Sequence, residues 1–186
     1  MVVSHPDDEL IFGGAELIKH GPEYKVICLT NKSNKIRSKE FEQVMTKLNV
    51  GSWEMFDHKD DLHNPPERYD IESILLSRQW EKIVTHNPIG EYGHPMHRKV
   101  FDAVKKLTNN FYVFGKSIHK LDKNTLNKKN KLLKLYKSEQ PIISQLLNKN
   151  GIWFKTDSDT NYIEYESITK YDKRIDVRPF IACYDK

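Results

Sequence analysis

The chain has 186 residues and a formal net charge of +4, with 38% hydrophobic and 30% charged residues. Its mean hydropathy is −0.70. These values suit one polar globular domain, or at most two small ones, with enough core to fold without staples, and they exclude a collagen or a coiled coil. No apolar run is long enough to span a bilayer, and the two cysteines, Cys28 and Cys183, cannot form a disulfide framework. With no charged n-region or long apolar h-region at the start, a reducing, cytoplasmic setting is expected.

The positive charge is local. Residues 115–137 hold eight lysines against one acid, Asp122, so this stretch carries +7 and the remainder sums to −3. That distribution argues against a nucleic-acid-binding face, which would spread basic residues more widely.

In chain order, residues 1–4 are a very short apolar stub suited to a first strand. Residues 9–20 read as a helix closed by Gly21 and Pro22. Residues 24–30 have a continuous apolar centre, as expected of a strand covered on both faces. Apolar positions 36, 41, 44, 45 and 48 have helical spacing. Residues 51–56 suit a third strand, 57–68 a polar loop, 69–79 a helix and 82–85 a fourth strand. A helix over 97–107 and an aromatic strand over 111–114 follow. Leu126, Leu132, Leu133 and Tyr136 give the lysine-rich segment one apolar stripe, so a surface helix is expected there. Residues 142–147 continue helically, and short strands and turns are expected from Ile152 onward. The alternation predicts an α/β, Rossmann-like fold: a mostly parallel sheet with helices on both faces, plus a less regular C-terminal segment. One domain over 1–186 is expected, with a core over 1–115 and the lysine-rich helix and C-terminal elements over 116–186.

In such sheets, ligands bind beyond the carboxyl ends of the strands. Two loops there carry unusual residues: His5-Pro6-Asp7-Asp8-Glu9 after the first strand, and the run from Thr85 to His97 after the fourth. Histidine and aspartate are good zinc ligands, and a catalytic zinc commonly takes three protein ligands. Adjacent aspartates in an extended loop point in different directions, so one can bind a metal while the other faces the attacking water. His94 and His97 share a face if they lie on one helical turn, and Pro95 suits a first helical position. The competing reading is structural: Asp7 or Asp8 caps the helix that begins near Glu9, and an isolated pair of histidines three apart arises by chance.

Together, the two loops resemble the PIG-L/LmbE-like de-N-acetylases, zinc hydrolases that remove an acetyl group from N-acetylglucosaminyl compounds on a Rossmann-like fold. The resemblance runs over about residues 1–115. It includes Arg37-Ser38-Lys39-Glu40, similar to the family's RxxE segment, and continues faintly at residues 135–140. It implies zinc held by His5, Asp8 and His97, with Asp7 as general base and His94 and Tyr92 as oxyanion stabilisers. Arg37 would hold sugar hydroxyls, and Asp60 is the preferred sugar-binding acid in the loop over 57–62. The implied substrate is an N-acetylamino sugar, free or on a larger acceptor. The residues also leave open another amide or ester as substrate, another divalent metal, or a non-catalytic glycan-binding relic.

Other residues invite simpler readings. His86 is expected to support the second loop without ligating. His20, His58, His63 and His119 are expected on the surface or in turns, and Trp53, Trp80 and Trp153 in the core or at an edge. Gly13-Gly14 lacks the remaining glycines of a nucleotide-binding fingerprint and suits close packing. Cys28 is expected to be an inert buried thiol. The lysine run reads as a solvated helix face, or else as an attractor for an anionic acceptor.

Overall fold

The computed structural model describes residues 1–60, 68–147, 163–164 and 166–172. Strands and helices alternate as β1 (Val2–Val3), α1 (Asp8–His20), β2 (Lys25–Cys28), α2 (Lys35–Leu48), β3 (Ser52–Met55), α3 (Arg68–Leu76) and β4 (Ile83–Thr85). They continue as α4 (Gly90–Gly93), α5 (Pro95–Leu107), β5 (Phe111–Lys116), α6 (Lys123–Leu133), α7 (Gln140–Leu147) and β6 (Glu166–Lys170). His63, Trp153 and most of the segment from Ile152 onward lie outside the described residues.

Strand β2 shows why helices cover both faces. Its side chains alternate in direction. Val26 and Cys28 enter one buried cluster with Phe12, Leu17, Phe41, Val44 and Leu133, from α1, α2 and α6. Ile27 and the following Leu29 enter the opposite cluster with Ile71, Leu75, Val100 and Val104, from α3 and α5. A run apolar at every position is therefore satisfied only at the centre of a three-layer sandwich.

The sheet comes in two halves, ordered β3-β2-β1 and β4-β5-β6. All pairings are parallel except β5 with β6. Between β1 and β4, side chains replace the ladder: Thr85 Oγ1 donates to the Val2 carbonyl at 3.0 Å, and the Ser4 N–H donates to His86 Nε2 at 3.0 Å. The chain winds outward from this seam in both directions. The loops after β1 and β4 therefore part there and leave a crevice, as at the switch point of other open α/β sheets.

Local signals place the helices. Asn34 caps α2 by accepting from the N–H groups of Ile36 and Arg37, both at 3.2 Å. Asn49 ends it in the left-handed region, at φ 55°. Helix α5 starts two residues earlier than the apolar spacing predicts, because Pro95 occupies its first turn and His94 caps it. The expected close packing at Gly13 is present: a Cβ there would lie 2.7 Å from Met1 Cε and 3.0 Å from the Phe114 ring.

One expectation about α6 needs correction. Leu132, Leu133 and Tyr136 are buried as the stripe predicts, but Lys129 is buried with them. Its ammonium donates to the Ile11 carbonyl at 2.8 Å and pairs with Glu166, which also accepts the Ala15 N–H. A lysine at this position faces inward because β6 supplies the acid. Charge counting along the sequence cannot show that partner, 37 residues away.

Candidate metal centre

The two loops meet at the seam. Asp8 begins α1, and its Oδ2 accepts the His5 N–H at 2.8 Å, folding the first loop back on itself. His97, on the first turn of α5, comes in from the second loop. His5 Nδ1 lies 3.1 Å from Asp8 Oδ2, His97 Nε2 lies 3.3 Å from the same oxygen, and the two nitrogens are 3.3 Å apart. Zinc bonds of about 2.0–2.2 Å in a tetrahedron require ligand atoms about 3.3 Å apart. The three donors already span one face of such a figure, so they fit a single zinc-sized cation.

The protonation pattern suits that role. His97 Nδ1 lies 2.6 Å from Glu91 Oε2, a pairing that keeps a proton on Nδ1 and turns Nε2 toward His5 and Asp8. Burial opposes charge on His5 and His97. The Asp8 carboxylate beside both, joined by Asp60 at His5 and Glu91 at His97, outweighs it and raises them to about 9 and about 10. The same burial works against the Asp8 anion, but the two imidazoles hold its pKa well below the usual carboxylate range. A site that attracts protons this strongly also attracts a metal cation, which binds by displacing them.

His86 has both ring nitrogens engaged by hydrogen bonds, although with Glu91 and His97 it forms a second group of donors close enough to share a cation. Its Nε2 lone pair is taken by the Ser4 N–H, and its Nδ1 lies 2.9 Å from Glu91 Oε2. It stacks on His97 with centroids 3.8 Å apart and planes 17° from parallel. Burial, and then His97, lower its pKa and keep it neutral.

Asp7 stands at the helix cap position, yet its side chain makes no cap hydrogen bond, which removes the capping explanation for this aspartate. The residue is 5% exposed. Burial and then the Asp8 charge push its pKa well above the usual range, against Arg37 and His5. His94 stacks on His97 at 4.6 Å and meets the His5 ring edge-on at 4.8 Å. It lies at the cap of α5, one residue before the first helical turn. Its Nδ1 accepts the Met96 N–H, so its proton is carried on Nε2. Burial, then His97 and His5, lower its pKa to about 3. The Tyr92 ring meets His97 at 5.4 Å, and burial and nearby carboxylates keep its phenol protonated.

The family model described as PIG-L, GlcNAc-PI de-N-acetylase, matches residues 1–108. The chain belongs to the PIG-L family. It is 33% identical over 171 residues to uncharacterized protein L374 of Acanthamoeba polyphaga mimivirus, covering 78% of this chain and 73% of that protein. Among solved structures, it resembles a deacetylase of the teicoplanin biosynthesis pathway at 16% identity, with a TM-score of 0.56 and coverage of 80% and 86%. It also resembles GalB, the 4-carboxy-2-hydroxymuconate hydratase of Pseudomonas putida KT2440, at 17% identity, with a TM-score of 0.52 and coverage of 94% and 96%. At these identities the two structural likenesses show a shared fold, and that fold carries more than one chemistry. Family membership makes the chain a hydrolytic enzyme of the deacetylase type.

Within this PIG-L chain, His5, Asp7, Asp8, Tyr92, His94 and His97 come together at the seam. Asp60 reaches it from the loop after β3, its Oδ1 3.0 Å from His5 Nε2, and its side chain is 38% exposed. Arg37 lies on the other side of the first loop, donating to the Pro6 carbonyl at 3.2 Å and pairing with Glu139 at 3.1 Å. The faint similarity at residues 135–140 has a spatial meaning, since Glu40 of the RxxE segment accepts from the Ser138 N–H and hydroxyl. Sequence reasoning missed three buried residues: Glu91, Glu9 and Tyr136. Only a general signal points to Glu91: a ligating histidine often has a carboxylate on its far nitrogen, and this acid lies between Gly90 and Gly93 in the second loop, but spacing does not say which imidazole it meets. Its φ of 56° shows the strained turn involved, and Gly90 before it, at φ 68°, leaves no comfortable room for a side chain.

Proposed function

We propose that the protein is a metal-dependent hydrolase that removes the N-acetyl group from an N-acetylglucosamine-type sugar or glycoconjugate, releasing acetate and a free amine. The observation carrying this reading is the His5–Asp8–His97 donor triangle with a second carboxyl, Asp7, next in sequence and buried beside it. His5, Asp8 and His97 would hold the metal, for which zinc is the best match to the donor set. Zinc supplies Lewis acidity, lowering the pKa of water toward about 7 and polarising the acetyl carbonyl.

The chain's own groups perform the rest. Asp7 removes a proton from the attacking water and returns it to the departing nitrogen, and its raised pKa suits both directions of transfer. Neutral His94, through Nε2–H, and the Tyr92 hydroxyl donate to the oxygen that gains charge as the carbonyl carbon becomes tetrahedral. Glu91 keeps the imidazole of His97 in the ligating tautomer. Asp60, at the exposed rim, and Arg37 are the groups offered to sugar hydroxyls. The exposed lysines of α6 favour an acceptor carrying negative charge.

The test is acetate release from acetamido sugars by zinc-loaded protein, with zinc content measured on each variant. Asp7→Asn is expected to keep one zinc per chain and to lose at least about 100-fold in kcat. His97→Ala is expected to lose the zinc. An Asp7→Asn rate near wild type contradicts the base assignment. Zinc retained with no turnover of any acetamido sugar by the wild type favours the relic, and turnover confined to simple acyl amides or esters moves the substrate class.

A further inference from the structure

We propose that Tyr136 is a positioning residue for Asp7, acting through Glu9, so that the segment following α6 completes the catalytic loop. The inference rests on reading Asp7 as the general base. It concerns residues beyond the part of the chain that the family model matches, which ends at residue 108.

The argument starts from strain. Asp7 has φ 122° and ψ −31°, a backbone conformation that L side chains rarely adopt. Such a conformation costs about 1–3 kcal/mol and persists only where its surroundings over-determine it. The Asp7 N–H donates to Glu9 Oε2 at 3.0 Å, and the other oxygen of that carboxylate, Oε1, accepts the Tyr136 hydroxyl at 2.6 Å. Glu9 and Tyr136 are both wholly buried. The carbonyl of that same peptide unit, from Pro6, is held by Arg37, which pairs with Glu139. The single peptide unit that joins Pro6 to Asp7 is thus held at its N–H and at its carbonyl, each through one intermediary from residues 136–139.

A purely structural role would not need the hydroxyl. Tyr136 packs within the same apolar cluster as Phe12, Phe41 and Leu133, where a phenylalanine ring would fit as well. Burying a phenol there is costly unless it is hydrogen-bonded, and among the described residues its hydroxyl donates to the carboxylate that holds the Asp7 amide. Without that donor, the Glu9 carboxylate keeps only backbone N–H partners, those of Asp7 and of Glu9 itself, and is freer to swing away from the Asp7 amide. The expected consequence is a base that spends less time in register with the attacking water, and misplacements of this kind cost rate more than binding.

The experiment compares Tyr136→Phe, Glu9→Gln and the double variant with wild type, as the full zinc-loaded chain. Tyr136→Phe is expected to lower kcat about tenfold, with KM within about twofold and zinc content unchanged. In the Glu9→Gln background, Tyr136→Phe is expected to add no further loss, because its effect travels through that side chain. Independently of activity, amide exchange over residues 5–10 should be faster in Tyr136→Phe, both with zinc and after its removal. A kcat within twofold of wild type, a loss confined to KM, additive losses in the double variant, or unchanged exchange over residues 5–10 each overturns the proposal. Should wild type release no acetate from any acetamido sugar, the deacetylase reading falls, and the exchange measurement still decides whether Tyr136 braces this loop.

Discussion

Glu91 links two histidines that do different work. Its Oε2 meets both His86 and His97, and those imidazoles hold its carboxyl at about 2 even though burial pushes the other way. Glu91→Gln is expected to weaken zinc binding about 10- to 100-fold, since it removes the acceptor that orients His97. A second consequence is read on metal-stripped protein by urea unfolding. The folded pKa of Glu91 lies below its ordinary value of 4.5. Between pH 4.5 and about 2 the unfolded chain therefore binds more protons at this site than the folded one. The stability this carboxylate contributes is thus fully present above pH 4.5 and is lost as pH falls toward 2. The difference between wild type and Glu91→Gln should shrink across that interval, and a constant difference contradicts the pairing. The residues legible in the sequence were those whose chemistry is set by neighbours in the chain, such as Asp7 and Asp8. Glu91 escaped because its role depends on where two imidazoles point, which no spacing rule gives.

At the scale of elements, α6 is held on α1 by an inward lysine. Burial pulls the Lys129 pKa down and Glu166 pulls it up, and burial wins. Removing one member leaves the other charge buried and unpaired, so Lys129→Ala should cost about 3–5 kcal/mol. Replacing both, as Lys129→Met with Glu166→Leu, should recover most of that loss, measured by urea unfolding. Equal stability of the single variant and wild type would show that the pair lies open to water. Strand and helix alternation was legible through about residue 115, because β2 is apolar along its centre and α2 carries apolar residues at helical spacing. The inward turn of Lys129 and the reach of Tyr136 to Glu9 were not, because each depends on a partner 37 or 127 residues away. The seam between β1 and β4 was hidden for a related reason. Strand β1 is only two residues long, and side chains of Thr85 and His86 complete its second edge.

For the whole molecule, the charge pattern bears on the acceptor. Of the eight lysines in residues 115–137, Lys129 is buried and Lys120 pairs with Glu164 at 3.0 Å, while Lys123, Lys128 and Lys131 on α6 and Lys134 just after it stay exposed. Exposed charges act over a Debye length of about 10 Å at 0.1 M salt, so their effect is open to screening. With a phosphorylated acetamido-sugar acceptor, kcat/KM is expected to fall severalfold as ionic strength rises from about 0.05 to 0.5 M, and with a neutral sugar to stay level. Equal salt dependence for the two acceptors would assign these lysines to solubility alone. No helix among the described residues is long and apolar enough to cross a membrane.

All of these arguments depend on three side chains from two distant loops holding one cation. The most direct measurement is a crystal structure of the zinc-loaded protein with anomalous data collected at the zinc edge. The expected result is a single strong peak about 2.0–2.2 Å from His5 Nδ1, Asp8 Oδ2 and His97 Nε2, with Asp7 not among the ligands. A peak on the His86–Glu91 side, a peak ligated by Asp7 in place of Asp8, or no peak at the seam would contradict it.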